Sequence, residues 1–152
     1  RVGLIEDGAS RLGIRIITAM QNDASKFNTE LPQADRVLCD VPCSGLGVIR
    51  RKPEIKFKSP SDFDGLPEIQ YQILETSARY VKPGGTLVYS TCTLSRAEND
   101  EVAKRFAAAH PEFLPIVQPV PYAGAAGEPT RTYCPDENGG DGFFTASFRR
   151  VK

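Results

Sequence analysis

Apolar residues in this chain recur at helical spacing in some stretches and in compact or alternating runs in others, and the two kinds take turns along the sequence. Leu4, Ile5, Ala9 and Leu12 lie at the intervals that line one helix face, and Gly13 follows as a stop. Ile14 to Met20 then reads as a strand, as does Val37-Leu38-Cys39 before Asp40. Ile69, Ile73, Leu74 and Ala78 mark a second helix, with Pro67 near its first turn and Pro83-Gly84-Gly85 beyond its end. A strand follows over Thr86 to Thr91. Ser95-Arg96-Ala97-Glu98 has the spacing of a capping box, opening a helix whose Val102, Phe106 and Ala109 run toward Pro111. Leu114 to Val117 and Phe143 to Phe148 are further strand candidates, and the Pro- and Gly-rich stretch 118 to 142 between them reads as a long loop. Such alternation predicts an α/β domain with a mostly parallel sheet.

At 152 residues and 40% hydrophobic content the chain can bury one core and form about one domain, and it carries no run of membrane-spanning length. Nineteen basic residues balance nineteen acidic ones, so the global charge announces no nucleic-acid partner. Local charge changes that picture. Between Arg50 and Lys58 five cations face one anion, a patch suited to salt-sensitive phosphate contacts or simply to a solvated loop. The four cysteines, with no secretory leader, point to reduced thiols and a cytoplasmic protein. No cysteine pair has the two-residue spacing of a zinc knuckle and His110 is the single histidine, so no metal is expected. Cys39, inside an apolar run, reads as core; Cys134 has no assigned partner chemistry.

Cys43 and Cys92 differ from these, because each lies just past the carboxyl end of a predicted strand, where open α/β sheets bind ligands. A thiol pair converging on one cleft, with Asp40 three residues before Cys43, suggests nucleophilic attack assisted by a second acid or base. Cys92 is the first choice for nucleophile: it precedes the proposed cap Ser95, where the positive end of a helix dipole favours thiolate. His110 sits at the far end of that predicted helix, more than about 20 Å away, too far for a Cys-His pair. Phe143 and Phe144 are expected in a buried strand rather than as stacking platforms.

Three segments together carry a resemblance: Asp40-Val41-Pro42-Cys43-Ser44-Gly45-Leu46-Gly47 running into Val48-Ile49-Arg50-Arg51-Lys52-Pro53-Glu54-Ile55-Lys56, then Lys82-Pro83-Gly84-Gly85-Thr86-Leu87-Val88-Tyr89-Ser90-Thr91-Cys92, then Asp141-Gly142-Phe143-Phe144. In this order they resemble bacterial small-subunit (16S) ribosomal RNA cytosine-C5 methyltransferases of the Sun/Fmu type, within the wider group of RNA 5-methylcytosine methyltransferases. The resemblance implies a Rossmann-like class I methyltransferase sheet, truncated on its N-terminal side, with S-adenosylmethionine as cofactor and ribosomal RNA as partner. It implies that Cys92 adds to C6 of a cytosine held outside the base stack and that Cys43 helps remove the C5 proton and release the product. Asp40 would contact the cytosine and lie near the cofactor, with Pro42 beside it, and Asp23 would bond the adenine amino group. Arg50, Arg51, Lys52 and Lys56 would be the RNA contacts.

The departures matter equally. Residues 1–152 contain neither a glycine-rich loop after a first strand nor an acidic residue ending a second, so the chain is expected to be a partial catalytic domain, with missing strands between those near Ile16 and Val37. Poor binding of S-adenosylmethionine by these residues alone, and self-association through an open sheet edge, are then expected. A non-catalytic methyltransferase-like module that binds RNA or protein is the alternative reading, disfavoured by the retention of both thiols.

Overall fold

The computed structural model describes residues 2–118 and 128–152. Its elements are α1 (Val2–Arg11), β1 (Ala34–Asp40), α2 (Leu66–Ala78), β2 (Val81–Thr91), α3 (Asp100–Ala109), β3 (Phe113–Pro115), β4 (Thr130–Tyr133), α4 (Pro135–Asn138) and β5 (Phe143–Arg150), with three short 3-10 turns between β1 and α2. They form one five-stranded sheet in the order β1-β2-β5-β3, with β4 also paired to β5. Only β1 and β2 are parallel; β5 runs antiparallel to β2, β3 and β4, so the sheet is mixed rather than mostly parallel. The period-two pattern of a strand carries no sign for its direction, and a hairpin-free return puts β5 antiparallel beside β2.

Alternation along β2 buries Leu87, Tyr89 and Thr91 and leaves Thr86, Val88 and Ser90 half-buried, and in β5 it buries Phe144, Ala146 and Phe148. Phe144 is buried as expected, whereas its neighbour Phe143 points to the other face and is 40% exposed. Helices α2 and α3 close the buried face: Leu74 and Phe106 are fully enclosed, and Phe106 meets Phe113 and Phe148 at ring-centroid distances of 5.4 and 5.0 Å. Each such aromatic pair adds about 0.5–1.5 kcal/mol beyond its buried area. Cys39 belongs to this core, where burial pushes its thiol up to about 11.

The amino-terminal part differs from expectation. Helix α1 forms where the apolar spacing places it but buries no residue. Ile14 to Met20 forms no strand: the residues are irregular, and Ile16 is 94% exposed. A strand exists through its neighbours' hydrogen bonds, and none of the five strands runs beside this stretch. What fixes the following loop is α2 and the turn after it. Ser25 carbonyl accepts from Thr76 Oγ1 at 3.1 Å, Asn28 N–H donates to the Tyr80 hydroxyl at 2.6 Å, and Phe27 stacks on Tyr80 at 4.8 Å. The long loop expected over 118–142 contains β4 and α4, and residues 119–127 of it lie outside the described part. No helix among the described residues is long and apolar enough to cross a membrane.

Candidate active site

The parallel register sets Asp40 beside Ser90, so the two chains leave the sheet side by side at the carboxyl ends of β1 and β2. Ser90 Oγ donates to Asp40 Oδ1 at 2.8 Å, and Val41 N–H donates to Ser90 carbonyl at 3.2 Å, carrying the pairing one residue further. The next turns bring the two cysteines together. Their sulfurs stand 3.1 Å apart, either able to donate, and Cys92 N–H points at Cys43 Sγ from 3.3 Å. Both thiols line one cleft of about 220 Å³ with Ser44, Lys52, Glu54, Ile55 and Lys58. That is below the ~300–1,000 Å³ of drug-sized sites and on the scale of a single base.

Burial, reinforced by the neighbouring Cys92 sulfur, pushes the Cys43 thiol up to about 12. Cys43 is thus a protonated thiol at neutral pH.

Glycine at 47 makes the loop geometry attainable. Its N–H donates to Cys92 carbonyl at 3.0 Å and its carbonyl accepts from Gly142 N–H at 2.7 Å. A Cβ at position 47 would fall 2.1 Å from Gly142 carbonyl oxygen and 2.9 Å from that of Cys92, so no other residue fits between the two backbones. This joins all three segments that carried the resemblance. A buried polar network completes the frame: Glu98, 2% exposed, accepts from Ser44 N–H and from Gln70 Nε2, each at 2.9 Å. Ser44 Oγ meets Thr93 Oγ1 at 2.7 Å, and Asn99 bonds Thr91 Oγ1 at 2.6 Å and Thr93 carbonyl at 2.9 Å.

Two corrections follow. Helix α3 begins at Asp100 with Asn99 as its N-cap, and one hydrogen-bonded turn over Ser95 to Asn99 precedes it. Ser95 is therefore not the cap, because the Glu98 side chain that would complete a capping box is drawn instead to Ser44 and Gln70. With the cap at Asn99, Cys92 loses the helix-terminal position on which its expected thiolate character rested.

The remaining sequence candidates scatter. Asp40 and Pro42 are exposed at the end of β1, and Pro42 carbonyl accepts from Gln70 Nε2 at 2.9 Å. Asp23 lies in the loop after α1, its carboxylate accepting from Ser25 N–H at 3.1 Å and Ser25 Oγ at 2.6 Å and facing Lys26 at 3.3 Å; these contacts hold its pKa down. Of the cations, Lys52 lines the cleft. Arg51 is committed to Asp141, and Arg50 gives Nη2 to Gly139 carbonyl at 3.2 Å. Lys56 is exposed and does not line the cleft, whereas Lys58, in the same basic run, does. Gln70 and Thr93 escaped the sequence reading, and Glu98 entered it only as the last residue of the Ser95-Arg96-Ala97-Glu98 capping-box pattern. His110 lies against Glu75 and Glu112, stacked on Phe106.

The model of the family described as 16S rRNA methyltransferase RsmB/F matches residues 1–149. This chain belongs to the RsmB/F family. The probable ribosomal RNA small subunit methyltransferase B of Bacillus subtilis is 46% identical over 158 residues, covering 99% of this chain and 35% of that protein. Among solved structures, PH0851 superposes with a TM-score of 0.87 at 33% identity, over 97% of this chain and 34% of that one. NSun6 from Pyrococcus horikoshii, solved with SFG, gives a TM-score of 0.80 at 29% identity, over 100% of this chain and 39% of that one. The RsmB/F chain described here thus spans about a third of the length of the curated relatives it matches. Its mixed sheet is the Rossmann-like methyltransferase fold that the sequence implied, open at β1.

Proposed function

We propose that these residues supply the cysteine side of a larger catalytic domain that methylates C5 of a cytosine in ribosomal RNA, in the cytoplasm, through a covalent adduct with Cys92. The observation that carries this reading is the 3.1 Å approach of Cys43 and Cys92 in a base-sized cleft at the carboxyl ends of two parallel strands. The RsmB/F relatives are named as ribosomal RNA methyltransferases, and a related structure was solved with SFG, which supports a methyl-donor cofactor.

Cytosine C5 is a poor nucleophile until a thiolate adds to C6. Cys92, its thiol proton given up to solvent, forms that carbon–sulfur bond, and the electron pair displaced toward C5 becomes available for methylation. In this reading Asp40, exposed at the end of β1, meets the ring nitrogen edge as charge develops there. S-adenosylmethionine, when bound, supplies the methyl group as an activated sulfonium. Asp40 and Pro42, exposed at the end of β1, fit a cofactor beside that edge; Asp23 fits less well, since Ser25 and Lys26 already satisfy its carboxylate. After methylation the C5 proton must leave, the electrons of the C5–H bond forming the C5–C6 double bond while the C6–sulfur pair departs on Cys92 as thiolate. Cys43, once its own thiol proton has passed to solvent, is suited to accept the C5 proton as a thiolate. Burial is the first cause of its raised pKa and the Cys92 sulfur adds to it; once that sulfur is a thioether its charge no longer opposes ionisation of Cys43. Lys52 and Lys58, which line the cleft, would hold the flanking phosphates of a flipped nucleotide.

The test uses the full-length protein with labelled methyl donor and unmodified small-subunit ribosomal RNA. Cys92→Ala should lower methylation by more than about 10³-fold and abolish the covalent complex. Cys43→Ala should form the adduct and release it slowly, so that a stable protein–RNA complex accumulates on denaturing gels. The opposite pattern would exchange the two roles, and an adduct surviving in Cys92→Ala would end the proposal.

A further inference from the structure

Glu98 takes no part in the chemistry above, yet it is among the most enclosed charged groups of the described chain, 2% exposed. Burying a carboxylate costs several kcal/mol unless converging donors offset it, so its presence calls for a purpose. Its two donors are informative. One is the Ser44 amide, immediately after Cys43. The other is Gln70 Nε2, which also donates to the carbonyl of Pro42, immediately before Cys43, at 2.9 Å. Glu98 and Gln70 therefore grip the peptide on both flanks of one cysteine. The grip is tied to the strand that leads to the other cysteine, because the Tyr89 hydroxyl donates to Glu98 carbonyl at 2.5 Å and Thr93, just past Cys92, meets Ser44 Oγ.

We propose that Glu98, acting through Gln70 and the Ser44 amide, is a positioning residue that holds the Cys43 sulfur against Cys92 for the proton-transfer and release step. This rests on the adduct reading given above. The role is distinct from core packing, because the atoms that Glu98 holds belong to the Pro42–Ser44 segment. Removing its carboxylate leaves two N–H donors unpaired beneath that segment and frees it to move, while the sheet beneath stays paired.

The experiment compares Glu98→Ala, Glu98→Gln and Gln70→Ala in the full-length protein. Alkylation of individual cysteines by iodoacetamide, read by mass spectrometry at one pH, reports on position, with core residue Cys39 as the internal control for unfolding. Glu98→Ala should raise Cys43 alkylation by about 10-fold or more with Cys39 unchanged, as expected for losing hydrogen bonds to a charged acceptor. Glu98→Gln keeps an acceptor oxygen and should stay within about 3-fold of native. In the RNA assay Glu98→Ala should form the Cys92 adduct and release it slowly, with Glu98→Gln restoring release. If Glu98→Ala exposes Cys39 as well, Gln70→Ala carries the same test through the Pro42 flank. Unchanged Cys43 alkylation in Glu98→Ala and Gln70→Ala, or normal product release in the folded variants, would overturn the proposal. Loss of the Cys92 adduct in the native protein would instead refute the functional reading, and the alkylation result would still judge Glu98.

Discussion

Residues 34–109 together with 142–150 and residues 2–33 come from one sequence, yet they are held in opposite ways. In the first region Leu74, Leu87, Tyr89, Phe106, Phe144 and Ala146 are enclosed, buried polar side chains such as Glu98, Asn99 and Thr93 find partners, and two loops are locked backbone to backbone at Gly47 and Gly142. In the second, a well-formed helix buries nothing, and Leu4, Ile5, Leu12, Ile16, Ile17 and Met20 face solvent. The boundary between them follows the sheet. Everything on the β2 side of β1 has a neighbour; the other edge of β1 has none among the described residues, and Leu38 on that strand is 69% exposed. The cysteine chemistry lies wholly in the closed region; of the proposed cofactor contacts, Asp23 lies in the open one, and Asp40 and Pro42 lie at the carboxyl end of β1, the strand that borders it. On the function proposed above, the side that would meet the base is enclosed and the side that would meet the methyl donor borders the open edge.

Truncating one apolar side chain in each region gives the largest contrast. Phe106→Ala removes a ring packed against Phe113, Phe148 and His110 and should cost about 3–5 kcal/mol. Leu4→Ala, at a side chain 76% exposed, should stay within about 0.5 kcal/mol. Urea midpoints of the 152-residue chain measure both. Equal losses would mean that α1 is packed after all.

Backbone space gives the next contrast. Gly47→Ala drives a Cβ into two carbonyl oxygens of the peptide framework, with no flexible side-chain end to yield, and should cost about 3 kcal/mol. Gly8→Ala meets open space in the middle of α1 and should add helix propensity worth about 0.5–1 kcal/mol locally. Because α1 is not packed on the core, that gain should appear as stronger helical circular dichroism without a higher midpoint. A rise in the midpoint would couple the two regions.

The sequence reading succeeded where local pattern and tertiary need coincide. Alternation in Thr86 to Thr91 and helical spacing around Leu74 and Phe106 report burial that the fold delivers. The cysteines were legible because each follows a strand, and the ends of neighbouring parallel strands converge whatever the intervening loops do. Glu98 was misread for a physical reason: a Ser-x-x-Glu spacing looks the same whether the carboxylate caps its own helix or reaches Ser44 far away in sequence. The Ile14 to Met20 strand failed because apolar content supplies only half of what a strand requires. The other half is a hydrogen-bonded neighbour, and periodicity does not reveal one. The basic run divided along the same line: its charge was visible, but which cations face the cleft depends on the 3-10 turn over Pro53–Phe57, which brings Lys52 and Lys58 to the rim and leaves Lys56 off it.

The smallest energetic effect sharpens the comparison most. An edge strand whose outer N–H and C=O groups have no strand partner among the described residues, with Leu38 exposed on its face, is a template for a second chain, so the 152-residue protein should associate as its concentration rises. Leu38→Lys and Ile16→Lys place charges on the exposed strand face and in the irregular stretch 14–20, and should change folding stability by no more than about 0.5 kcal/mol. Their effect should appear in sedimentation, where the double variant shifts toward monomer while the native chain does not. Lysine acts here by making it costly to bring a second copy against the edge, an effect that salt screens. Association of the variant should therefore return at high ionic strength. If the native chain is monomeric at all accessible concentrations, the edge is not the liability that its exposure implies, and the contrast between the two regions is one of packing alone.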